Sequence, residues 1–590
     1  MRVAVLIKQI PRPDQLRLLD GRLVREGVEL EVNAYCRRAN AKAVELAGPD
    51  GEVVVFTMGP PSAGDALREM LACDATRAVH LCDLAFAGSD TLATARTLAT
   101  AIRREGPFDL VLCGLNSLDS DTGQVGPELA ELLGLPFAPG ARELMLHDGT
   151  VRAKCETDDG YRWVTGDLPL VLSTAERLCD PSKAAPSARA QVSADRLLQL
   201  GAEELGLSAR EVGAAGSPTS VGPVRVAEVS RRQRVVRGAA EAIEALAELG
   251  AFDGASSLKG LDPVPETGGE GPAVWCFLDP ADSAPERELI GEAAGLAARL
   301  SGSVTVVTPE PAPPGLGAAG ADRVLLIPDA TEPEQWANAL ARASADALPW
   351  ALLVDGTRTG RAVASLVAAR NGWGLTGDAI GLEVSDGCRL VALKPAFGGQ
   401  LVAPIESSSP VQVATVRPGV LPRRLPRSAP DPVPELLPAP GRARICTTDV
   451  VVEDPLLREL LAAQAVVGVG TGVAPDEYVW LDPLRELLGG APLGATRKVT
   501  DRGWLPRSRQ IGVTGHAIGP ELYVAVGLSG KLNHMIGVRN SKVLLAINED
   551  VHAEVFRQAD VGLVGDWKVL VPELASELRA LHASTGDLSV

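Results

Sequence analysis

The amino-acid sequence predicts an α/β protein of three domains with mainly parallel sheets flanked by helices. Three observations predict it. Short β-rich apolar runs alternate with stretches of helical periodicity along the chain, one such order of elements occurs twice, and 590 residues are too many for a single hydrophobic core. The expected organisation is two related nucleotide-type α/β units followed by a third α/β region of different pattern.

The first unit, residues 1–251, shows VAVLI, NAKAVELA, VVVFTMGP, DALREMLA, RAVHLC, a helix from about Thr91 to Arg104, and DLVLCG. The second, residues 272–436, repeats that order as AVWCFL, RELIGEAAGLAARL, VTVVTPEP, RVLLIPD, a helix near Trp336 and ALLVDG. ATRAVHLCD around Arg77 matches ADRVLLIPD around Arg323, and DLVLCGLNS at Gly114 matches ALLVDGTRT at Gly356; the offsets of 246 and 242 keep the units in register and indicate duplication. Between them, residues 252–271 are rich in Gly, Pro and Ser without apolar periodicity, which predicts a linker. A proline-rich passage then leads into residues 437–590, where AVVGVG, ELYVAVGLSG, KVLLAIN and VGLVGD alternate with helical segments.

A formal charge of −18 argues against a grip on nucleic acid or an anionic membrane, both of which need a concentrated basic surface. The nine cysteines are scattered, with no CxxC pair, and read as buried thiols in a reducing compartment. MRVAVLIKQI is a strand pattern interrupted by Lys8, unlike a signal peptide, and no uncharged apolar run approaches a bilayer span, so cytoplasmic residence is the expectation. No motif for a covalent nucleophile, a metal site or a P-loop is present.

Chemistry concentrates at the strand ends of the third region. ELYVAVGL runs into Ser529-Gly530-Lys531-Leu532-Asn533-His534, KVLLAI into Asn548, and VGLV into Gly565-Asp566; upstream lie Thr496-Arg497 and Ile511-Gly512-Val513-Thr514-Gly515. Small residues let backbone N–H groups approach a pyrophosphate beyond the carboxyl edge of a parallel sheet, and Asn or Asp there suits ribose and adenine. Alone, this pattern predicts only a dinucleotide-like site.

The order GATRxxxDRGWLP, IGVTGxxIGPELYVAVGLSGKLNHMIGVRNSKVLLAINED and ADVGLVGDWKVLVPEL is more specific. It resembles the FAD-binding domain of electron-transfer flavoprotein α subunits. The second unit, with KPAFGGQ at Lys394 to Gln400 and a TVRP strand, resembles the α subunit's amino-terminal domain. The first resembles the β subunit through Asn33 to Cys36, Thr57 to Pro60, and LDSDTGQVGPELAELLGLP from Leu118 to Pro136. The resemblance covers nearly the whole chain and implies a single-chain fusion in place of the usual αβ heterodimer.

That resemblance implies FAD at Thr496, Arg497, Ile511, Gly512, Val513, Thr514, Ser529, Gly530, Lys531, Leu532, Asn533, His534, Asn548 and Asp566, with Arg497 as the cation above the ring, Thr514 the donor near its N5 edge and His534 the donor at the pyrimidine oxygen. A flavin passing single electrons needs its reduced, negatively charged forms stabilised, which gives such groups their physical basis. Two departures stand out: Thr471 occupies the place of an arginine in a GGRG turn, and Val513 replaces a glutamine. Both remove polar contacts and bear on potential and affinity. His516, His552, His80, His147 and His582 have no motif support and read as surface or structural residues.

The first unit is expected to hold a second nucleotide in the loop Asp119, Ser120, Asp121, Thr122, Gly123, Gln124, Val125 and Gly126, with Leu6, Asn33, Ala34, Tyr35, Cys36 and Met58 lining it. AMP and a second FAD both stay open there, since the family's ordinary carriers hold AMP and its bifurcating relatives pair a DTxQVGP-type loop with FAD. Partners implied are flavoprotein dehydrogenase donors and a quinone-reductase-type or other acceptor. In the recognition loop the passage Asp180 to Pro186 offers Ala185 where the family presents a leucine, so different dehydrogenases are implied. The leading expectation is an electron carrier without substrate turnover of its own. Its alternatives are an NADH-oxidising, electron-bifurcating flavoprotein and a non-redox adenine-nucleotide sensor.

Overall fold

The computed structural model describes residues 1–12, 17–19, 22–24, 27–117, 119–226, 231–252, 261–279, 286–396, 401–422, 424–454, 457–512 and 515–585. It is an α/β protein with three large sheets, as the alternation predicts.

The first sheet runs Leu197–Leu200, Arg77–Leu81, Glu52–Met58, Arg2–Leu6, Leu110–Gly114, Leu170–Thr174 and Phe137–His147, all parallel. It continues antiparallel through Thr150–Glu156, Gly160–Asp167 and Ile445–Val452. The second runs Arg323–Ile327, Ser303–Pro309, Ala273–Phe277, Ala351–Asp355, Gln412–Val416 and Leu375–Ala379, with Glu435–Leu436 beside the first of these. Arg77 and Arg323 thus open equivalent strands, and the two sheets share one strand order, which gives the sequence repeat a structural counterpart. Apolar residues on both faces form the cores: Val3, Val5, Val53 and Leu112 face one helical layer of the first sheet, Ala4, Phe56, Val79 and Val111 the other. Such two-sided burial explains why these strands read as continuous apolar runs.

The third sheet runs Arg234–Val236, Val561–Val564, Val543–Asn548, Leu522–Val526, Ala465–Val469 and Leu493–Ala495, all parallel. Every residue of Ala465–Val469 and of Leu522–Val526 is buried.

Sequence order and sheet membership part company at four places. Arg234–Val236 and the helix Ala239–Glu248, numbered within the first unit's span, belong to the third sheet and its core, where Val236, Ile243 and Leu246 join Leu563, Val571 and Leu578. Arg231 fastens this arm, donating to Asp560 Oδ2 at 2.7 Å and to the carbonyls of Arg539 and Ser541 at 2.8 and 2.9 Å. Thr219–Val221 pairs with Leu401–Ser407 of the second unit, and Arg225–Val226 joins the same strand. Ile445–Val452 closes the far edge of the first sheet.

Residues 253–260 of the expected linker lie outside the described set; beyond them the chain is fastened to the second unit, with Val264 buried and its N–H donating to Leu425 O at 2.8 Å. All nine cysteines are free thiols, but the expected burial holds only for Cys36, Cys113, Cys155 and Cys276; Cys73, Cys82 and Cys179 are partly buried, and Cys388 and Cys446 are exposed. Among the described residues no helix is long and apolar enough to cross a membrane.

Candidate functional site

Because the third sheet is wholly parallel, its strands deliver their glycine-rich ends to one edge. The backbones meet there without room for side chains. A Cβ on Gly470 would lie 2.2 Å from Gly527 O, and one on Gly530, at φ +74°, would lie 2.1 Å from Val555 N. Around this cradle Thr471, Ser529, Lys531 and Asp566 are exposed. Asn548 and Asp566 both shape turns: Asn548 Nδ2 donates to Leu528 O at 2.9 Å, and Asp566 Oδ1 accepts from Lys568 N at 2.9 Å. Ile511 is buried and Gly512 takes φ +130°. Val513 and Thr514 lie outside the described residues, as do the side chains of Leu532 and Asn533 on the short helix Leu532–Met535.

Thr496 precedes the helix Arg497–Asp501 and makes no capping bond with its hydroxyl. Arg497 is half exposed and reaches into the first unit, where its guanidinium lies 3.1 Å from Glu176 Oε1; Asp501 holds it from the other side at 3.2 Å. Arg507 takes the second oxygen of Glu176 at 2.8 Å. Burial works against ionisation of Glu176, but Arg507 and Arg497 outweigh it and hold the carboxyl below its ordinary range.

His534, expected as a donor to a ring, is buried and committed at both nitrogens. Nε2 lies 2.7 Å from Tyr523 Oη and Nδ1 lies 3.1 Å from Ile511 O. A carbonyl only accepts, so Nδ1 carries the proton and Nε2 accepts from the phenol. Burial pushes its pKa down to about 4, with only the Ile511 carbonyl opposing. His534 therefore anchors the Ile511–Gly512 turn to the strand Leu522–Val526, and a donor role toward a ligand requires exchanging one of these bonds.

At the carboxyl edge of the first sheet lies a cavity of about 1300 Å³. Leu6, Asn33, Cys36, Met58, Asp119, Ser120, Thr122, Gly123, Gln124, Val125 and Gly126, all among the expected residues, border it. Asn33 Nδ2 donates to Asn116 O at 2.7 Å and Gln124 Oε1 accepts from Thr91 Oγ1 at 2.9 Å, while Asn33 Oδ1 and Gln124 Nε2 are buried without partners. Lys8, noted only as a break in an apolar strand, holds the loop by donating to Asp119 Oδ1 at 2.8 Å and Ser117 Oγ at 3.0 Å. Beneath it Glu128 is pushed up to about 8 by burial and the neighbouring Asp90.

Three expected residues face elsewhere. Ala34 does not border the cavity, and neither does Tyr35, whose hydroxyl is pushed up by burial and by Glu176 at the junction with Arg507 and Arg358. Asp121, at φ +45°, turns its carboxyl toward the second unit. There it meets Arg361, Asp378, Lys394 and Arg417. Asp378 lies 3.0 Å from Arg417 Nε and 3.1 Å from Arg361 Nη2. Burial opposes its charge, but Arg417 and Arg361 prevail and hold it far below the ordinary carboxylate range. Lys394 donates to Gly377 O at 2.7 Å; burial pushes its ammonium down while Asp378 and Asp121 pull it up. The second unit also walls the cavity, through Leu375, Thr376, Gly377, Lys394, Leu401, Ala403 and Ile405, which the single-unit reading missed because nothing local in the sequence signals a partner surface.

Two family models match the chain: the electron transfer flavoprotein domain over residues 20–196 and 283–440, and the electron transfer flavoprotein FAD-binding domain over residues 459–539. Among similar proteins, the electron transfer flavoprotein subunit alpha of Clostridium acetobutylicum is 32% identical over 330 residues, covering 52% of this chain and 97% of the relative. The electron transfer flavoprotein subunit beta of Thermoanaerobacterium thermosaccharolyticum is 34% identical over 255 residues, 42% of this chain and 97% of the relative. The caffeyl-CoA reductase-Etf complex subunit CarD of Acetobacterium woodii is 34% identical over 225 residues, 38% and 86% respectively. A duplicated pair of nucleotide-type units, a third parallel sheet with a glycine cradle, and matches to both subunits over different parts lead to one assignment: the chain belongs to the electron transfer flavoprotein family, as a β–α fusion.

Proposed function

We propose that this chain shuttles electrons through FAD held at the carboxyl edge of the third sheet, taking them from a flavoprotein dehydrogenase and delivering them to a quinone reductase or another acceptor. The observation that carries this reading is the strand-end cradle at Gly470 and Gly530, where an added Cβ would fall 2.2 Å from Gly527 O and 2.1 Å from Val555 N, so that glycine alone keeps this edge open beside the exposed Ser529 and Lys531. It lies at the strand ends flanking and within the region matched by the FAD-binding domain. Bound FAD supplies the one-electron chemistry. Thr496, Ser529 and Lys531 would border its phosphates and ribose, and Arg497 would give a cation beside the ring, shared with Glu176. Thr471 and Val513, where the family pattern carries polar groups, would leave the ring fewer contacts.

The amino-terminal cavity takes a second nucleotide in this reading. At about 1300 Å³ it has room for FAD as well as for AMP, so the NADH-oxidising, bifurcating alternative stays open beside the simple carrier. Ala185 is exposed at the start of the helix Pro186–Ala190, so any partner docking there meets a methyl group. Nucleotides released on denaturation test the whole reading. Two FAD per chain with NADH-driven bleaching supports bifurcation, one FAD with one AMP supports the simple carrier, and a chain that binds no FAD on reconstitution refutes both.

A further inference from the structure

One hydroxyl beneath the loop of the first unit faces two oxygens. Thr91 Oγ1, at the start of the helix Thr91–Glu105, lies 2.9 Å from Gln124 Oε1 and 3.0 Å from Glu128 Oε1 on the helix Val125–Leu133. A threonine has one hydrogen to give, so a second must come from a neighbour. In one arrangement Glu128 is protonated and donates to Thr91, which donates to the Gln124 oxygen. In the other Glu128 is ionised and accepts from Thr91, and Gln124 turns its amide so that the NH2 donates to Thr91. The two ends of an amide are so alike in size that one space holds both arrangements.

This chain of three side chains runs from the interior to the cavity. Gln124 is 2% and Glu128 1% exposed, and Gln124 Nε2 and Glu128 Oε2 are buried without partners. Gln124 and Thr91 border the cavity, and the Gln124 amide nitrogen lies against Gly377 of the second unit, where an added Cβ would fall 2.6 Å from it. The charge that acts on Glu128 is Asp90, which caps the helix Thr91–Glu105 by accepting from Ala93 N at 2.9 Å and also takes Thr219 N and Oγ1 at 3.0 and 2.8 Å. The helix Arg358–Asn371 packs on the same helix as Glu128 but spends its cations elsewhere, Arg358 on Glu156, Arg361 on Asp378 and Arg370 on Glu131. On the strand Phe137–His147, Arg142 pairs with Glu453 and Glu143 with Lys154. Burial beside a negative charge therefore favours the protonated arrangement at neutral pH, and the pKa of about 8 agrees with it.

We propose that Glu128 is a positioning residue for the cavity: through Thr91 its proton fixes which end of the Gln124 amide lies against Gly377, and binding of an anionic nucleotide takes up a proton there. This rests on the reading of that cavity as a nucleotide site. Ionising Glu128 adds a negative charge under the loop and puts a carbonyl oxygen where an N–H stood, and both changes oppose a phosphate-bearing ligand. The protonated arrangement is therefore the one that binds.

The test is calorimetry of AMP, and of FAD beyond its first equivalent, binding to the full-length chain between pH 7 and pH 9, with the thermal midpoint reporting folding. In wild type the dissociation constant should rise about tenfold over this range as the protonated fraction of Glu128 falls, and binding at pH 8 should take up about half a proton, read from the dependence of the heat on buffer ionisation. Glu128→Gln keeps a donor toward Thr91 and cannot ionise, so it should hold its pH 7 affinity at pH 9 and take up no proton. Thr91→Val leaves the acid in place and breaks the chain, so it should lose the slope as well. A slope that survives in Thr91→Val means that Glu128 acts by charge alone and overturns the positioning role. A flat wild-type profile, or an equal slope in Glu128→Gln, overturns the proposal outright. Should Glu128→Gln fail to fold, wild type and Thr91→Val carry the test. If wild type binds no nucleotide beyond the FAD of the third domain, the reading of the cavity fails and the proposal falls with it. The infrared band of a protonated carboxyl, present in wild type minus Glu128→Gln at pH 7 and fading by pH 9, is expected whatever the cavity holds, and its absence at pH 7 overturns the proposal while leaving that reading intact.

Discussion

Acidification should loosen the third domain through the histidines whose pKa burial lowers, His516 and His534, of which His534 is held by a bond at each ring nitrogen. His534 sits neutral in the interior with a pKa of about 4, against an ordinary value of 6.5 for the unfolded chain. The unfolded state therefore binds a proton that the folded state refuses. Stability from this group is complete above pH 6.5 and erodes as the pH falls toward 4. Between pH 7 and pH 4.5 the gap corresponds to about 2 to 3 kcal/mol. The geometry supports the size: Nδ1 is spent on Ile511 O, so an incoming proton must go to Nε2, where it displaces the phenolic hydrogen that Tyr523 donates. Amide exchange along Leu522–Val526 and at Ile511, corrected for the intrinsic pH dependence, reads the effect locally; opening should rise by roughly fifty-fold over this range. His534→Gln keeps a polar side chain but does not titrate there, so the difference between wild type and variant isolates the histidine. A difference that stays constant from pH 7 to pH 4.5 refutes the argument.

Two further substitutions probe the elements that build the site. Arg231→Ala removes the cation that Asp560 pairs with, leaving that carboxylate only the N–H groups of Leu544 and Arg232, and takes a donor from the carbonyls of Arg539 and Ser541, in a contact where the side chains are only 7% and 10% exposed. It should cost about 3 to 5 kcal/mol and release the arm around Arg234–Val236 to proteolysis while the first sheet stays protected. Gly530→Ala adds a Cβ 2.1 Å from Val555 N at a positive φ, whereas Gly490→Ala, at φ +80°, meets nothing within 4 Å. The first should lower the thermal midpoint and FAD retention together, and the second should cost only about 1 kcal/mol of backbone strain.

The layered fold was legible because its signals are local. Alternating apolar runs announced the strands, and the matched surroundings of Arg77 and Arg323 announced two sheets that share a strand order. Glycines at strand ends announced the cradle. What escaped notice depends on contacts between distant parts. Arg234–Val236 carries a strand pattern but nothing that names Val561–Val564 as its neighbour, so it read as part of the first unit. Asp121 sits in a nucleotide-type loop, yet its left-handed backbone turns the carboxyl to Arg361 and Arg417, a direction set by φ and not by spacing. His534 was recognised by motif, but its bond to Tyr523 requires two side chains eleven positions apart to meet across a strand and a helix.

The exchanged strands also constrain how the molecule can be made. A ribosome delivers Gly160–Asp167 long before Ile445–Val452, the segment that covers its open edge. Arg234–Val236 likewise waits for Val561–Val564. During synthesis the outer edge of the first strand and the whole of the second must wait while several hundred residues emerge, and bare strand edges recruit strangers. Nascent chains of this protein should therefore be chaperone clients until their last strands arrive, and slowing translation near the carboxyl terminus should lower the soluble yield.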